Sequence, residues 1–509
     1  MTGQESYGII STDIFSYKDF YRGEVMSFED DYERRRAYVS RRRQQRKRQR
    51  MVRILTALIL FVTLITIAGT GILYFRHQNN TPEVPGSEPS EEPSSLALNS
   101  SESTTEDEPE TTVASVQQIE ELLKEAESLA FTYDYDGAIE LLTSSELSGD
   151  PAVKETVSSY EEIRSTLVRA EPSEVTHVFF HSIIMDNRKA FDGDSDEKGY
   201  NQVMTTKSEF LKILEQMYER GYVLVKLHDI AHEETDEHGS RKFVAGNIML
   251  PPGKKPFVMS QDDVCYYEYM DGDGFASRII IGEDGKPTCE MKMDDGSISV
   301  GSYDLVPLLE DFITEHPDFS YRGARAVLAF TGYQGVLGYR TDPEYKNSNP
   351  NYEADCEAVR RVAQCLRDNG WELASHSWGH INLANRDYAS VKTDAEKWEN
   401  RVESLIGETD IILYPFGADV GNWRPYSRDN DKFALLYDLG FRYFCNVDSS
   451  QHWVQIGDTY MRQGRRNLDG YRMYYDLPET NPTKTYLSDL FDVSTVFDRE
   501  RPTPVAPMK

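Results

Sequence analysis

Cysteine is sparse in this chain. Five in 509 residues (Cys265, Cys289, Cys356, Cys365 and Cys445) are too few, and odd in number, for a disulfide framework. They read as buried free thiols. Basic charge is also in deficit: 55 Lys and Arg against 86 Asp and Glu give a formal charge of −31. A chain that acidic repels phosphate backbones, so nucleic acid is disfavoured as a partner. Long apolar runs are nearly absent. The exception is Ile54–Phe75, ILTALILFVTLITIAGTGILYF, with 22 residues and no charge. That length crosses a bilayer as a helix, and it is too long and too far from the N-terminus for a signal-peptide core.

Charge on either side of this run sets its direction. Eleven Lys or Arg lie between Arg34 and Arg53, and the far side opens with the acidic, Pro-rich RHQNNTPEVPGSEPSEEP. Positive residues stay inside. The expectation is a single-pass protein in the cell membrane, with a cytoplasmic basic tail (1–53), a transmembrane helix (54–75) and an extracellular remainder. Residues 76–113 are rich in Ser, Thr, Pro and Glu, with little to bury, and read as a flexible stalk. A tail of 53 residues leaves no room for a signalling domain.

From 114 to 171 the apolar residues Ile119, Leu122, Leu123, Ala126, Leu129 and Ala130 recur at helical spacing. A turn at FTYDYDG and two further helices follow. The pattern resembles one tetratricopeptide-like hairpin, and a single copy is too short for a solenoid. Its expected role is a spacer or packing partner.

The rest, 172–509, alternates strand and helix. Strands are expected at Val175–His181, Tyr222–Leu227, Pro256–Ser260, Val327–Phe330, Glu372–Ala374, Ile411–Tyr414 and Phe441–Cys445. Helices are expected at Lys207–Glu219 (with a capping box at Thr206 and Glu209), Ala354–Arg367, Thr393–Leu405 and Asp431–Asp438. Repeated βα units imply an α/β fold with parallel strands wrapped by helices, either a closed barrel or an open doubly wound sheet. A polar insertion near 266–302 reads as a hairpin. Its Asp271, Asp273 and Asp284 lack a complete EF-hand loop and read as solvated turns.

Two segments carry chemistry. In FVMSQDDV, an apolar strand runs directly into Asp262 and Asp263. In ELASHSWGHIN, a short strand ends at His376 and His380. Barrel enzymes place their sites at the C-terminal ends of strands. HxxxH spacing turns both imidazoles to one metal if the intervening turn is helical. Asp263, His376 and His380 together form a donor set for a divalent metal: zinc first, with cobalt, nickel or manganese also accommodated.

In order and strand context, SQDD (260–263), HSWGH (376–380) and YPFG (414–417) resemble the motifs of the polysaccharide deacetylases with a NodB-homology domain, carbohydrate esterase family 4. VFFHS (178–182) and the helix end ERGYVLVKLHDI fit the same pattern, and the resemblance spans about 175–480. It implies a distorted (β/α) barrel, preceded here by the helical segment and transmembrane helix. It also implies metal-dependent removal of acetyl groups, N-linked or O-linked, from an acetylated polysaccharide.

By this resemblance Asp262 is the general base, and Asp263, His376 and His380 hold the metal. The backbone N–H of Phe416 helps hold the oxyanion, with Tyr414 and Pro415 in the same turn. Trp378 and Trp453 are candidates for packing against a sugar ring. Arg465, in YMRQGRRNLDGYRM, either binds an anionic substrate group or orients Asp262. The family's late Leu-x-His, which supplies the general acid, is absent, and no His follows His452. His452 is therefore the first expectation for the acid and His181 the second. The competing reading is a catalytically silent carbohydrate-binding or wall-assembly protein that keeps the fold.

Overall fold

The computed structural model describes residues 110–508, apart from 449 and 484. The basic tail, the 54–75 run and most of the stalk lie outside the described residues. Among the described residues no helix is long and apolar enough to cross a membrane.

Eight parallel strands form the centre: β1 (Thr176–Phe180), β2 (Tyr222–Leu224), β3 (Lys255–Gln261), β4 (Val327–Phe330), β5 (Glu372–Ser375), β6 (Ile411–Leu413), β7 (Tyr443–Val447) and β8 (Met461–Asn467). Seven of them close a ring in the order β4, β5, β6, β7, β8, β1, β3 and back to β4. β2 pairs with the first half of β3, at Lys255–Phe257, and β4 pairs with its last two residues, at Ser260 and Gln261. β2 therefore drops out of the ring before the strands reach their C-terminal ends. Closure settles the choice against an open sheet.

The interior is layered by the two-residue period of the strands. Val175, Val258, Val327, Ala374, Ile411, Tyr443 and Met461 belong to the apolar core at the N-terminal end. Two positions further along, the inward residues turn polar: His177 lies between Gln463, 3.0 Å from Nδ1, and Ser260, 2.9 Å from Nε2. Two more positions bring Asp262 and Arg465 into contact. Burial in this low-dielectric interior, then the Arg465 cation, pushes His177 down to about 3, so it stays neutral.

β8 was not among the expected strands. MRQGRRN carries no apolar alternation and reads as a basic loop, yet all seven residues are buried. Three arginines make that possible because each has an acidic partner: Arg462 pairs with Asp419, Arg465 with Asp262 and Arg466 with Asp489. Other departures are smaller. β2 ends at Leu224 and a 3₁₀ turn follows at Leu227–Asp229. The insertion forms a three-stranded antiparallel sheet (Arg278–Ile281, Pro287–Lys292, Ile298–Gly301) rather than a hairpin. The helix expected at Thr393–Leu405 starts earlier, at Tyr388, and passes through a π turn at Glu399–Glu403. The capping box of Lys207–Glu219 is present, and the buried Glu209 also receives Arg501. All five cysteines are buried and free.

The helices Glu110–Phe131, Tyr135–Ser144 and Pro151–Thr166 precede the barrel. Their first turn carries Tyr133, whose ring enters the barrel-end core beside Tyr321 and whose hydroxyl donates to the Asp318 carbonyl at 2.8 Å. The hairpin thus packs against the N-terminal ends of the strands. Tyr133→Ala should remove about 3 kcal/mol of stability, as expected for a large aromatic lost from a core, measured by denaturant unfolding. A loss under 0.5 kcal/mol would show that the plug is dispensable.

His228 sits at the same end, between Glu372 on Nδ1 and Asp410 on Nε2 at 3.0 Å. Burial lowers its pKa, but hydrogen bonds to Asp410 and Glu372 outweigh that and raise it to about 10. The folded-state value lies above the unfolded one, so this stabilisation is complete below about pH 6.5. It is lost as pH rises toward 10. The stability difference between wild type and His228→Gln should shrink across that window in urea titrations. A constant difference would remove the charge from the account.

Candidate active site

The C-terminal ends of β1, β3, β5 and β8 converge at one mouth. Asp263, His376 and His380 offer ligand atoms that all lie within 4.8 Å of one another. His380 Nε2 is 3.8 Å from Asp263 Oδ2. Ligands on a tetrahedral zinc stand roughly 3.4 Å apart, so a small inward movement completes the set. His376 donates from Nδ1 to the Leu413 carbonyl at 2.7 Å, which fixes the tautomer and leaves Nε2 as the ligand atom. Tyr267 donates to Asp263 Oδ1 at 2.8 Å and lies 2.8 Å from Thr331. Two imidazoles, a carboxylate and oriented partners behind them fit a divalent metal.

The HSWGH segment is not helical. Ser377 and His380 both adopt left-handed backbone conformations, with φ of 55° and 52°. Side chains hold this path: Asp394 accepts the N–H groups of Trp378 (2.9 Å) and Gly379 (2.8 Å), and Ser377 Oγ accepts that of Ile381 (3.0 Å). Asp263 (φ 59°) and Phe416 (φ 59°) are left-handed as well. Four such residues around one mouth mark a backbone held for a purpose other than packing. The Phe416 ring stands edge-on to His380, with centroids 4.5 Å apart.

Asp262 is buried beside this set and receives Arg465 Nη1 at 2.6 Å, while its Oδ2 is 3.8 Å from His376 Nε2. Burial raises its pKa, but Arg465 and then His376 overcome that and hold it well below the ordinary carboxylate range. It is therefore ionised at neutral pH and able to accept a proton. Arg465 is fully buried, donates also to Ser260 and stacks on Phe179. It orients Asp262 and does not reach toward solvent.

Several expected contacts lie elsewhere. His452 is exposed, and its electrostatic neighbours are Asp489, Arg466 and Glu174. Arg466 and Arg465 are adjacent in β8, so they point to opposite faces of the barrel wall. His452 is on the outer face, away from Asp262. His181 is on the site side: it acts electrostatically on both Asp262 and Asp263, and its Nδ1 donates to the Val203 carbonyl at 3.0 Å. Trp378 is 1% exposed, and its indole N–H donates to Asp342, so it is wall rather than sugar platform. Tyr414 is buried with its hydroxyl on Tyr426, and Pro415 is buried too. Trp453 packs edge-on to Trp423 and under Arg462, again outside the barrel. A second acidic group, Asp194, Asp196 and Asp273, also gathers within 4.8 Å, whereas Asp271 and Asp284 lie in separate exposed turns.

Tyr267, Thr331 and Asp394 were not singled out from sequence. Tyr267 stands four residues after Asp263, but nothing about a tyrosine there marks it as a carboxylate's partner.

Residues 347–443 match the family model described as polysaccharide deacetylase. These residues belong to a polysaccharide deacetylase domain. The domain is that of a hydrolase acting on carbon–nitrogen bonds other than peptide bonds. The match contains His376, His380 and the Pro415–Gly417 turn, while the aspartate pair lies outside it and is brought in by the fold.

Among solved structures, the chain is similar to the Streptococcus pyogenes deacetylase PplD in complex with acetate, at 11% identity and TM-score 0.31, covering 62% of this chain and 97% of that one. It is also similar to Bacillus anthracis BA0330, whose polysaccharide deacetylase assignment is itself provisional, at 10% identity and TM-score 0.33, covering 64% and 69%. At these values neither likeness bears on the chemistry. No curated protein matches the chain.

Tyr267→Phe should weaken zinc binding to the deacetylase domain about tenfold, the usual cost of losing a partner behind a metal ligand. A competition titration with a chromophoric chelator measures it. Unchanged affinity would make the Tyr267–Asp263 bond incidental.

Proposed function

We propose that this protein is a metal-dependent deacetylase that hydrolyses N-acetyl groups of a polysaccharide outside the cell. Residues 54–75 anchor it in the membrane and 1–53 stay in the cytoplasm. The observation that carries the reading is the ionised, Arg465-held Asp262 directly beside the Asp263, His376 and His380 donor set.

Asp263, His376 and His380 hold the metal, with zinc favoured by the two imidazoles. A divalent ion bound there supplies Lewis acidity, which polarises the acetyl oxygen and makes a water more acidic. Asp262 takes a proton from the attacking water as its oxygen bonds to the acetyl carbon. The backbone N–H of Phe416 donates to the oxyanion that develops, a contribution of about 3 kcal/mol. The free Nε2 of His181 passes the proton taken by Asp262 on to the amide nitrogen as the C–N bond breaks, releasing acetic acid, which ionises to acetate, and a free amine.

Acetate release from a panel of N-acetylated and O-acetylated glycans tests this directly. Activity should vanish with chelator and return with zinc. Asp262→Asn should lower turnover at least 10²-fold, the scale of a lost general base. His181→Ala should lower turnover with zinc retained, and His452→Ala should leave it unchanged. No acetate from any glycan would favour a silent binding protein. Normal turnover in His181→Ala would return the acid to another group.

A further inference from the structure

The ring of His181 is aimed by the hydrogen bond from its Nδ1 to the Val203 carbonyl, at 3.0 Å, and stands edge-on to Phe179. Val203 is the last residue of the helix Glu197–Val203, so its carbonyl has no partner further along that helix. Seven residues are about two turns, too few to hold a helix end in place unaided. The end must be fixed from outside, and residues 498–507 fix it.

Arg501 is the centre of this clamp. It is 3% exposed and donates from Nη2 to the Met204 carbonyl at 2.7 Å, one residue beyond Val203. Its Nη1 reaches the carbonyl and side-chain oxygen of Asn201, at 3.3 and 3.2 Å. Nε and Nη2 also grip the two oxygens of the buried Glu209, at 2.7 and 2.6 Å. Glu209 lies in the first turn of the helix Lys207–Glu219, so one guanidinium joins the end of one helix to the start of the next. Around it, Asn201 donates to the Pro502 carbonyl and Gln202 to that of Ala506, each at 2.7 Å, while Thr206 donates to Asp498 at 2.9 Å. The other side is closed by Gly470, where a β-carbon would lie 2.2 Å from the Asn201 carbonyl.

We propose that Arg501 is a positioning residue for the deacetylation: by clamping the end of the helix Glu197–Val203 it aims the His181 ring so that Nε2 faces the mouth. Arg501 touches no reacting atom and acts through the Val203 carbonyl. The catalytic consequence rests on the reading of His181 as the proton carrier, and the aim of the ring does not.

Two measurements on the zinc-loaded protein test it. Arg501→Lys keeps a cation beside the buried Glu209, but a single ammonium cannot also span Met204 and Asn201. Acetate release from the β-1,4-linked N-acetylglucosamine tetramer should fall about 10²-fold in kcat with KM unchanged, the cost of a catalytic group displaced by about 1 Å. Hydrolysis of para-nitrophenyl acetate, whose leaving group departs without a proton, should be unchanged. Equal losses on both substrates, or none on the tetramer, overturn the proposal. Histidine-selective nitrogen NMR, at a pH where the ring is neutral, should show His181 as the Nδ1–H tautomer in the parent and as a mixture in Arg501→Lys, with His181→Ala identifying the signal. An unchanged tautomer overturns the proposal whatever the rates. Should Arg501→Lys not fold, Gln202→Ala, at a half-buried position, loosens the same clamp; it should move both readouts in the same direction, and movement in neither overturns the proposal. No acetate from the wild type, with a tautomer that still follows Arg501, sinks the deacetylase reading and keeps the clamp.

Discussion

A guanidinium inside a barrel must meet a carboxylate, and Arg465 meets Asp262. The rest of the mouth depends on that pairing. It fixes the register of β8 against β1 and β7, because a slip of one residue turns Arg465 outward and Arg466 inward, away from their partners. It also sets the electrical state of the carboxylate beside Asp263, His376 and His380. The strand that completes the ring thus carries the residue that prepares the site, and closure and chemistry are one event in the fold.

The backbone at the mouth is held against its preferences. Left-handed conformations at Asp263, Ser377, His380 and Phe416 each cost of order 1 kcal/mol or more in residues with a β-carbon. Asp394, reaching from the helix Tyr388–Trp398 to the HSWGH loop, and the tight turn at Pro415–Gly417 oppose that cost locally. Gly332 adds a steric condition, since a β-carbon there would lie 2.4 Å from the Trp378 indole. Trp378 can then pack behind the loop, and the two imidazoles are pushed forward onto the aspartates. The cost falls on the residues whose positions matter most.

Much of this was legible in the chain. Strands that end abruptly in charge, at Asp262 and at His376, announced where the mouth would be, and repeated βα units announced the barrel. What stayed hidden depended on facing. His452 and Trp453 follow the expected motif order, but β8 was unreadable as a strand, so nothing told which side of the wall they occupy. β8 was unreadable because its burial is satisfied by ion pairs with Asp262, Asp419 and Asp489, residues distant in sequence. Hydropathy records apolar burial and is blind to this kind. Spacing alone also could not reveal that the histidines come together with Asp263 through a strained loop instead of a helical turn.

The hairpin that seats Tyr133 among the N-terminal strand ends gives the molecule a front and a back. The polypeptide joins the barrel through the floor, and the imidazoles open through the roof. The hairpin and the donor set therefore occupy opposite ends of the barrel, and the opening beside the imidazoles is left clear of the hairpin.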